Sequence, residues 1–102
     1  MNEAQWRKQV VELARSLGWR DYSTSFSPYS TPGWPDLALV RPPTLILAEL
    51  KTERGKVSQV QRDTLSTLDA CHNVLSYLWR PSRWRVRPIT EPKPDHPAEL
   101  EP

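Results

Sequence analysis

The chain has 102 residues, of which 37% are hydrophobic, 14 are basic and 12 are acidic. This length fits one domain and excludes two. A single cysteine, Cys71, excludes an intrachain disulfide, and we expect it to be a small buried apolar residue rather than a nucleophile. No apolar run approaches the 18 residues that a membrane-spanning helix needs, so we expect a soluble cytoplasmic protein without a membrane partner.

Proline and charge are unevenly distributed along the chain. Residues 88–102 contain five prolines, which fix φ and remove backbone donors, so we expect neither a helix nor a central strand there. We therefore predict a folded domain over residues 1–88 and a disordered acidic tail over residues 89–102. Residues 91–102 hold one basic and four acidic side chains, which leaves 13 basic and 8 acidic ones, a net of +5, in the rest. That excess suits a phosphate-binding surface, although ordinary solubility explains it equally well.

The first predicted element is a helix over residues 3–17. Its apolar residues recur with the helical period and predict one buried stripe, formed by Trp6, Val10, Leu13, Ala14 and Leu17. Asn2 is suited to the N-cap and Gly18 to the position after the C-cap. Because Glu3 lies three residues before Trp6, we expect its carboxylate to continue the stripe and to point toward the interior edge.

The next part of the chain has the patterns of strands. Residues 19–26 form a weakly patterned strand candidate, and residues 27–33 have the composition of a loop. The strongest strand signal is the apolar run 44–51, which indicates a central strand covered on both faces. A turn at Pro42-Pro43 separates it from a shorter predicted strand over residues 36–40.

A second helix is predicted from Ser58, where Ser58 and Gln61 match a capping box. It extends to about His72, and its inward-facing residues are expected to be Leu65, Leu68 and either Cys71 or His72. A last strand over residues 73–79 completes the order α-β-β-β-α-β. These elements predict an α/β fold with a mixed central sheet.

Charged residues lie at the ends of the two middle strands. Because alternate residues of a strand share a face, Glu49 and Lys51 project together while Leu50 projects into the opposite core. The Pro-Pro turn predicts an antiparallel hairpin, which brings Asp36 beside Glu49. Two adjacent carboxylates repel each other unless a cation lies between them, and oxygen ligands of this kind suit Mg²⁺ or Mn²⁺. The Leu50 carbonyl and the carboxylate of Glu3 are candidates for further ligands.

This carboxylate pair predicts phosphodiester hydrolysis. A metal there would polarise a phosphodiester oxygen and help to generate hydroxide from bound water. Lys51 would lower the pKa of that water or stabilise the charge that builds on the phosphate. A structural Glu49–Lys51 ion pair also explains charges on a central strand, but the pattern favours the metal site.

Several segments resemble the VRR-NUC domain, a branch of the PD-(D/E)xK nucleases. The strongest are Gly-Trp-Pro-Asp-Leu at residues 33–37 and Ala-Glu-Leu-Lys-Thr at residues 48–52. The further matching segments are Glu3, the run over residues 10–19, Gly55-Lys56, Gln61 and Trp-Arg-Pro-Ser at residues 79–82. The resemblance covers residues 3 to about 84 and implies a restriction-endonuclease-like core.

The resemblance also implies site residues and an activity. Asp36, Glu49 and Glu3 would be metal-binding acids, Lys51 the catalytic lysine and Gln61 a neighbour of the site. Gln61 is also the capping partner expected for Ser58, so both roles stay open. The matching type is the minimal stand-alone form common in phages and prophages, which resembles Holliday-junction resolvases that act as homodimers. It implies an Mg²⁺- or Mn²⁺-dependent DNA endonuclease in the cytoplasm of a bacterial or phage-infected cell.

Basic residues near the predicted site are candidates for DNA contacts. Arg54 and Lys56 follow Lys51 on a turn, where incoming DNA would meet them. Arg80 and Arg83 belong to a later segment that also contains Arg85, Arg87, Trp79 and Trp84. We expect the two tryptophans to fill the core, whereas a solvated surface explains the arginines as well as phosphate contact does.

Residues 22–31 contain no histidine or basic residue, unlike the corresponding loop of many VRR-NUC relatives. Whether the loop over residues 20–33 contacts DNA is therefore open, although Tyr22 and Tyr29 carry hydroxyls that suit phosphates.

Two other functions compete with the nuclease. One is a DNA-binding module that keeps the nuclease fold and does not cut, and the other is a structural or interaction protein, for example a partner of a phage replication protein. The set of Asp36, Glu49 and Lys51 argues against the first, because an inactive domain has no need for such mutually repelling or desolvated groups. The net charge of +5 outside residues 91–102 argues against the second.

Overall fold

The computed structural model describes residues 1–24, 31–84 and 87–90. Its elements, in chain order, are α1 (Glu3–Ser16), β1 (Arg20–Ser23), β2 (Leu37–Arg41), β3 (Thr44–Leu50), α2 (Gln59–Asp69), β4 (Leu75–Trp79), a 3-10 turn (Pro81–Arg83) and α3 (Arg87–Thr90). The predicted order α-β-β-β-α-β is confirmed for the first six. The remainder of the predicted first strand and most of the loop after it, including Tyr29, lie outside the described residues.

The four strands form one mixed sheet in the order β1-β2-β3-β4. β1, β2 and β3 are successive antiparallel neighbours, whereas β4 runs parallel to β3. The parallel pair requires a crossover, and α2 supplies it. The expected α/β class with a mixed central sheet is thus confirmed, with β2 and β3 as the two interior strands.

Helix α1 covers one face of the sheet. The Asn2 side chain accepts a hydrogen bond from the Gln5 backbone and so caps the helix, while Gly18, just past its end, has a φ of 88°. Trp6, Val10 and Ala14 are buried, as the stripe predicted. They pack with apolar side chains of β2, β3 and β4 in the main core, which contains Leu37, Leu39, Ile46, Ala48, Leu50 and Trp79.

The β2–β3 hairpin sets the register that positions the charged residues. Pro42-Pro43, whose peptide bond is cis, forms the turn. Leu37 pairs with Ala48, and these two residues face α1. Continuing the register by one residue puts Asp36 next to Glu49, and alternation turns Glu49 away from the α1 core.

Helix α2 begins at the predicted capping box. The Ser58 side chain accepts from the Gln61 backbone, and the Gln61 side chain accepts from the Ser58 backbone. The helix packs mainly against β4 and buries none of its residues completely. The prediction that Cys71 is buried was wrong, because the helix ends at Asp69 and leaves the Cys71 side chain exposed.

The end of the folded part differs from the prediction. Arg87–Thr90 forms a short helix, and Ile89 is fully buried in the main core, where its carbonyl accepts from the Trp19 indole N–H at 2.9 Å. The domain therefore extends past residue 88, and the expectation that no helix forms from Pro88 onward was wrong. Proline at the second helical position is tolerated, because the backbone donor it lacks has no partner within the first turn. The rest of the predicted tail, residues 91–102, lies outside the described residues.

Trp79 is buried in the core, as expected, whereas Trp84 is partly buried against it and meets the Trp6 ring edge-on at 5.0 Å between centroids. Among the described residues, no helix has the length and apolar composition needed to cross a membrane.

Candidate active site

Two carboxylates lie side by side where the interior strand β2 begins and its neighbour β3 ends. Asp36 and Glu49 are only 6% and 4% exposed. The backbone N–H of Leu50 donates to Asp36 Oδ2 at 3.3 Å, so the Asp36 carboxylate is held against the end of β3. The predicted juxtaposition of Asp36 and Glu49 is therefore present, and the Leu50 side chain is buried on the opposite face.

Glu49 has two further partners on its own face of the sheet. Lys51 Nζ lies 3.4 Å from Glu49 Oε2, as expected for residues two apart in a strand. The side-chain amide of Gln61 donates to the same oxygen at 3.0 Å. Gln61 thus performs the capping role with its oxygen and holds Glu49 with its nitrogen. The two roles that the sequence left open are structurally compatible.

The environment of Glu49 disfavours its ionised form. Burial raises its pKa from 4.5 to about 7, and the hydrogen bond and negative charge of Asp36 act in the same direction. The positive charge of Lys51 only partly offsets these effects. Glu49 is therefore harder to ionise than an exposed glutamate would be.

The sequence did not single out Arg7, which is the ion-pair partner of Asp36. Arg7 Nη2 lies 3.2 Å from Asp36 Oδ2, and both side chains are largely buried. Arg7 precedes Val10 by three residues and Ala14 by seven, so it borders the buried stripe of α1. This position beside the stripe was the signal in the sequence that could have singled out Arg7. Which strand residue Arg7 contacts, however, depends on how the helix lies on the sheet.

Glu3 does not fulfil its expectation. Its side chain is exposed, so the prediction that it points toward the interior edge was wrong. The buried stripe begins at Trp6, and the capping of α1 at Asn2 puts Glu3 in the solvent-facing first turn. Within residues 1–24, 31–84 and 87–90, no three acidic, histidine or cysteine side chains are grouped closely enough to hold a metal.

The donor set at the pair suits a hard divalent cation. Mg²⁺ uses one or two protein carboxylates and completes its shell with water and substrate phosphate, so a third acidic side chain is not required. A structural zinc site would need four nitrogen or sulfur ligands, which the described residues do not group together. Asp36 and Glu49 would hold Mg²⁺ or Mn²⁺, and the Leu50 carbonyl stays the predicted additional ligand.

The basic residues expected to bind DNA fall into two groups. Arg54, Lys56 and Arg83 are exposed around the loop that follows β3. Arg80 instead donates to the backbone carbonyls of Thr52 and Glu53 and so fastens this loop to the end of β4. The side chains of Arg85 and Arg87 lie outside the described residues.

A second contact joins the same two segments. The Glu53 carboxylate accepts from both the backbone N–H and the hydroxyl of Ser82, and these hydrogen bonds lower the pKa of Glu53. The loop that carries Arg54 and Lys56 is therefore tied to the 3-10 turn on its far side.

A comparison of the chain with protein-family profiles, with curated proteins and with solved structures finds no match. Function is therefore inferred from the side chains around Asp36 and Glu49.

Proposed function

We propose that this chain is a metal-dependent DNA endonuclease with a PD-(D/E)xK core of the VRR-NUC kind, which hydrolyses phosphodiester bonds in structured DNA. The observation that supports this most is the buried juxtaposition of Asp36 and Glu49, with Lys51 beside Glu49. Placing two acids in a desolvated position is costly unless they bind something. A site that takes a divalent cation and a phosphate gives this arrangement a use.

Each residue would have a distinct task. Asp36 and Glu49 hold the cation, and the Leu50 N–H and the Gln61 amide keep the two carboxylates oriented. Bound Mg²⁺ or Mn²⁺ supplies Lewis-acid polarisation of the phosphodiester and lowers the pKa of water. Lys51 would then turn from Glu49 toward the phosphate and stabilise the negative charge that develops on its oxygens.

Exposed cations near the site would bind the DNA backbone. Arg54 and Lys56 follow Lys51 along the chain, and Arg83 lies across the loop contact made by Glu53. Such contacts bind phosphates of any sequence, so discrimination between substrates would come from DNA shape.

The preferred substrate would be branched DNA, as for a Holliday-junction resolvase, in the cytoplasm of a bacterial or phage-infected cell. A four-way junction needs two paired cuts, and a homodimer with one site per subunit would supply them.

A cleavage assay tests the proposal. The purified chain meets a labelled four-way junction, a flap and a linear duplex, each with Mg²⁺, Mn²⁺ or EDTA. Cutting should require a metal and should be lost in Asp36→Ala and Glu49→Ala. Glu12→Ala is the matched control, because Glu12 is an exposed acid of α1 and should leave cutting unchanged. No cutting with either metal would overturn the proposal.

One observation favours a second candidate, a DNA-binding module that does not cut. Arg7 and Lys51 already pair with Asp36 and Glu49, so the four groups can neutralise one another without a metal. In that case the intact chain binds DNA without cutting it, and Asp36→Ala changes binding little. Under the nuclease proposal Asp36→Ala abolishes cutting and preserves or strengthens binding, because it removes a negative charge.

A further inference from the structure

Trp34 is a large apolar side chain that solvent reaches, with 42% of the residue exposed. Of the other four tryptophans, three are buried in the core and one is partly buried against it: Trp6, Trp19 and Trp79, and Trp84. An indole left in water forgoes the free energy of burial that the other four gain. An exposed aromatic side chain beside a candidate active site is a candidate binding group.

The backbone on both sides of Trp34 is fixed. Gly33 has a φ of 87°, and a Cβ there would lie 2.2 Å from Val60 Cγ1, so the chain at Gly33 lies tightly on the first turn of α2. The backbone N–H of Trp34 donates to the Thr31 carbonyl at 3.2 Å, and Pro35 is fully buried. The indole is therefore carried by an anchored segment, which limits the entropy that a contact with it would cost.

The location of this segment connects it with the carboxylate pair. Trp34 precedes Asp36 by two residues, so their Cα atoms lie within about 7 Å. On its other side the segment contacts Val60, the neighbour of Gln61, which holds Glu49. The Trp34 backbone is therefore close enough to the carboxylate pair for an indole to contact a nucleotide whose phosphate is at Asp36 and Glu49.

We infer that Trp34 is a nucleobase-stacking residue that binds an unpaired base next to the scissile phosphate, an inference that rests on the proposed nuclease function. In an intact duplex each base face is covered by its neighbours, so an indole has a free face to stack on only where a nucleotide is unpaired. The substrate class is DNA with a gap, a flap or a splayed branch point, in preference to continuous duplex.

The surroundings of Trp34 favour a nucleobase over a protein partner. The loop with the exposed Arg54 and Lys56 leads directly into the first turn of α2, on which Gly33 also packs. An aromatic face beside cations that bind phosphates is the combination by which proteins bind single-stranded nucleic acid. A second copy of this chain is the competing occupant, and the test below includes it.

The test compares binding of two DNA probes in EDTA, where no hydrolysis occurs. One probe is a continuous duplex, and the other is the same duplex with a three-nucleotide gap that exposes 2-aminopurine in the remaining strand. The variants are Trp34→Ala, Trp34→Leu, which keeps apolar area without an aromatic face, and Trp34→Phe, which keeps the face. Circular dichroism checks that each variant folds, and sedimentation gives its oligomeric state.

The intact chain should bind the gapped probe about tenfold more tightly than the duplex and quench 2-aminopurine fluorescence. Trp34→Ala and Trp34→Leu should lose this preference and the quenching, with duplex affinity unchanged, while Trp34→Phe keeps most of both. The inference is overturned if Trp34→Ala binds and quenches like the intact chain, or if it loses affinity for both probes equally. It is also overturned if Trp34→Ala changes the oligomeric state, or if Trp34→Leu keeps the preference and the quenching of the intact chain.

The inference and the proposed function fail in different ways. Metal-dependent cutting of gapped DNA that is indifferent to Trp34 substitution overturns the inference and keeps the nuclease. Quenching that depends on Trp34, without cutting in Mg²⁺ or Mn²⁺, keeps the base-stacking site and overturns the nuclease.

Discussion

Gln61 donates its side-chain N–H to Glu49 Oε2 at 3.0 Å while its side-chain oxygen accepts from the Ser58 backbone at 2.9 Å. One amide therefore closes the capping box of α2 and fixes the orientation of a buried carboxylate. The beginning of the helix and the candidate active site are coupled through this side chain. Substitutions at Ser58 and Gln61 can separate the two tasks.

We predict that Ser58→Ala and Gln61→Ala differ in activity more than in stability. Ser58→Ala removes the acceptor for the Gln61 backbone N–H and should lower the free energy of unfolding by about 1 kcal/mol, with little effect on cutting. Gln61→Ala also releases Glu49, and loss of such an orienting partner costs roughly 10–100-fold in metal affinity or activity. Urea unfolding and cleavage rates measured at a temperature where both variants are folded make the comparison. Equal losses of cutting would show that Gln61 acts only through the cap.

A second prediction concerns Arg7 and Asp36. Removing Arg7 leaves Asp36 buried without its ion-pair partner, so Arg7→Ala should destabilise the metal-free protein by roughly 1–3 kcal/mol. Mg²⁺ should restore part of this loss, because a bound cation replaces the missing positive charge. Unfolding in EDTA and in Mg²⁺ measures both effects.

Lys8→Ala is the matched control for Arg7→Ala. Lys8 is the next basic residue of α1, and its pairing with Glu12 at 3.9 Å is solvent-exposed, so its loss should cost less than about 0.5 kcal/mol with or without metal. If Arg7→Ala is no less stable than Lys8→Ala, or if Mg²⁺ stabilises both variants equally, Arg7 does not compensate the buried negative charge of Asp36.

The carboxylate pair could be predicted because it depends on short-range rules. Alternation along β3 puts Glu49 and Lys51 on one face, and the Pro42-Pro43 turn fixes the register that brings Asp36 to Glu49. The capping residues of both helices followed from local sequence in the same way. None of these steps requires knowledge of how a helix packs on the sheet.

The residues that the sequence misjudged depend on that packing. Arg7 reaches Asp36 only because α1 packs on the sheet with Arg7 beside the start of β2, and Glu3 is exposed because the stripe begins at Trp6. Ile89 is buried because the chain returns to the core near Trp19, an interaction between residues 70 apart that local composition does not encode. Arg80 looked like a surface cation, yet the neighbouring loop carbonyls take up its donors.

A third prediction separates Arg80 from Arg83. Arg80→Ala should lower the free energy of unfolding by roughly 1–3 kcal/mol and slow cutting, because the loop after Lys51 loses its attachment, while the salt dependence of DNA binding stays unchanged. Arg83→Ala should leave stability unchanged and reduce the slope of log affinity against log salt by about 1, as expected for one lost phosphate contact. The opposite assignment, with the slope reduced only by Arg80→Ala, would return Arg80 to the DNA-contacting group proposed from the sequence.

The last prediction concerns pH and the metal-free protein. Burial and the neighbouring Asp36 raise the pKa of Glu49 to about 7 in the folded state, whereas an unfolded chain releases this proton near pH 4.5. Between these values the folded protein binds the extra proton, so the free energy of unfolding should fall as pH rises from about 4.5 to 7. Glu49→Gln cannot ionise, and its stability should lack this contribution.

Urea unfolding of both proteins in EDTA at pH 5 and pH 8 isolates the effect, because Asp21 and Glu53, whose pKa values are lowered, contribute equally to both. From pH 5 to pH 8 the intact chain should lose roughly 2–3 kcal/mol relative to Glu49→Gln. At pH 8, Mg²⁺ should raise the free energy of unfolding of the intact chain more than that of Glu49→Gln, because only the ionised carboxylate of Glu49 binds a cation strongly. Parallel pH profiles in EDTA would mean that Glu49 is already ionised at low pH in the folded state, with Lys51 and Gln61 compensating its charge fully.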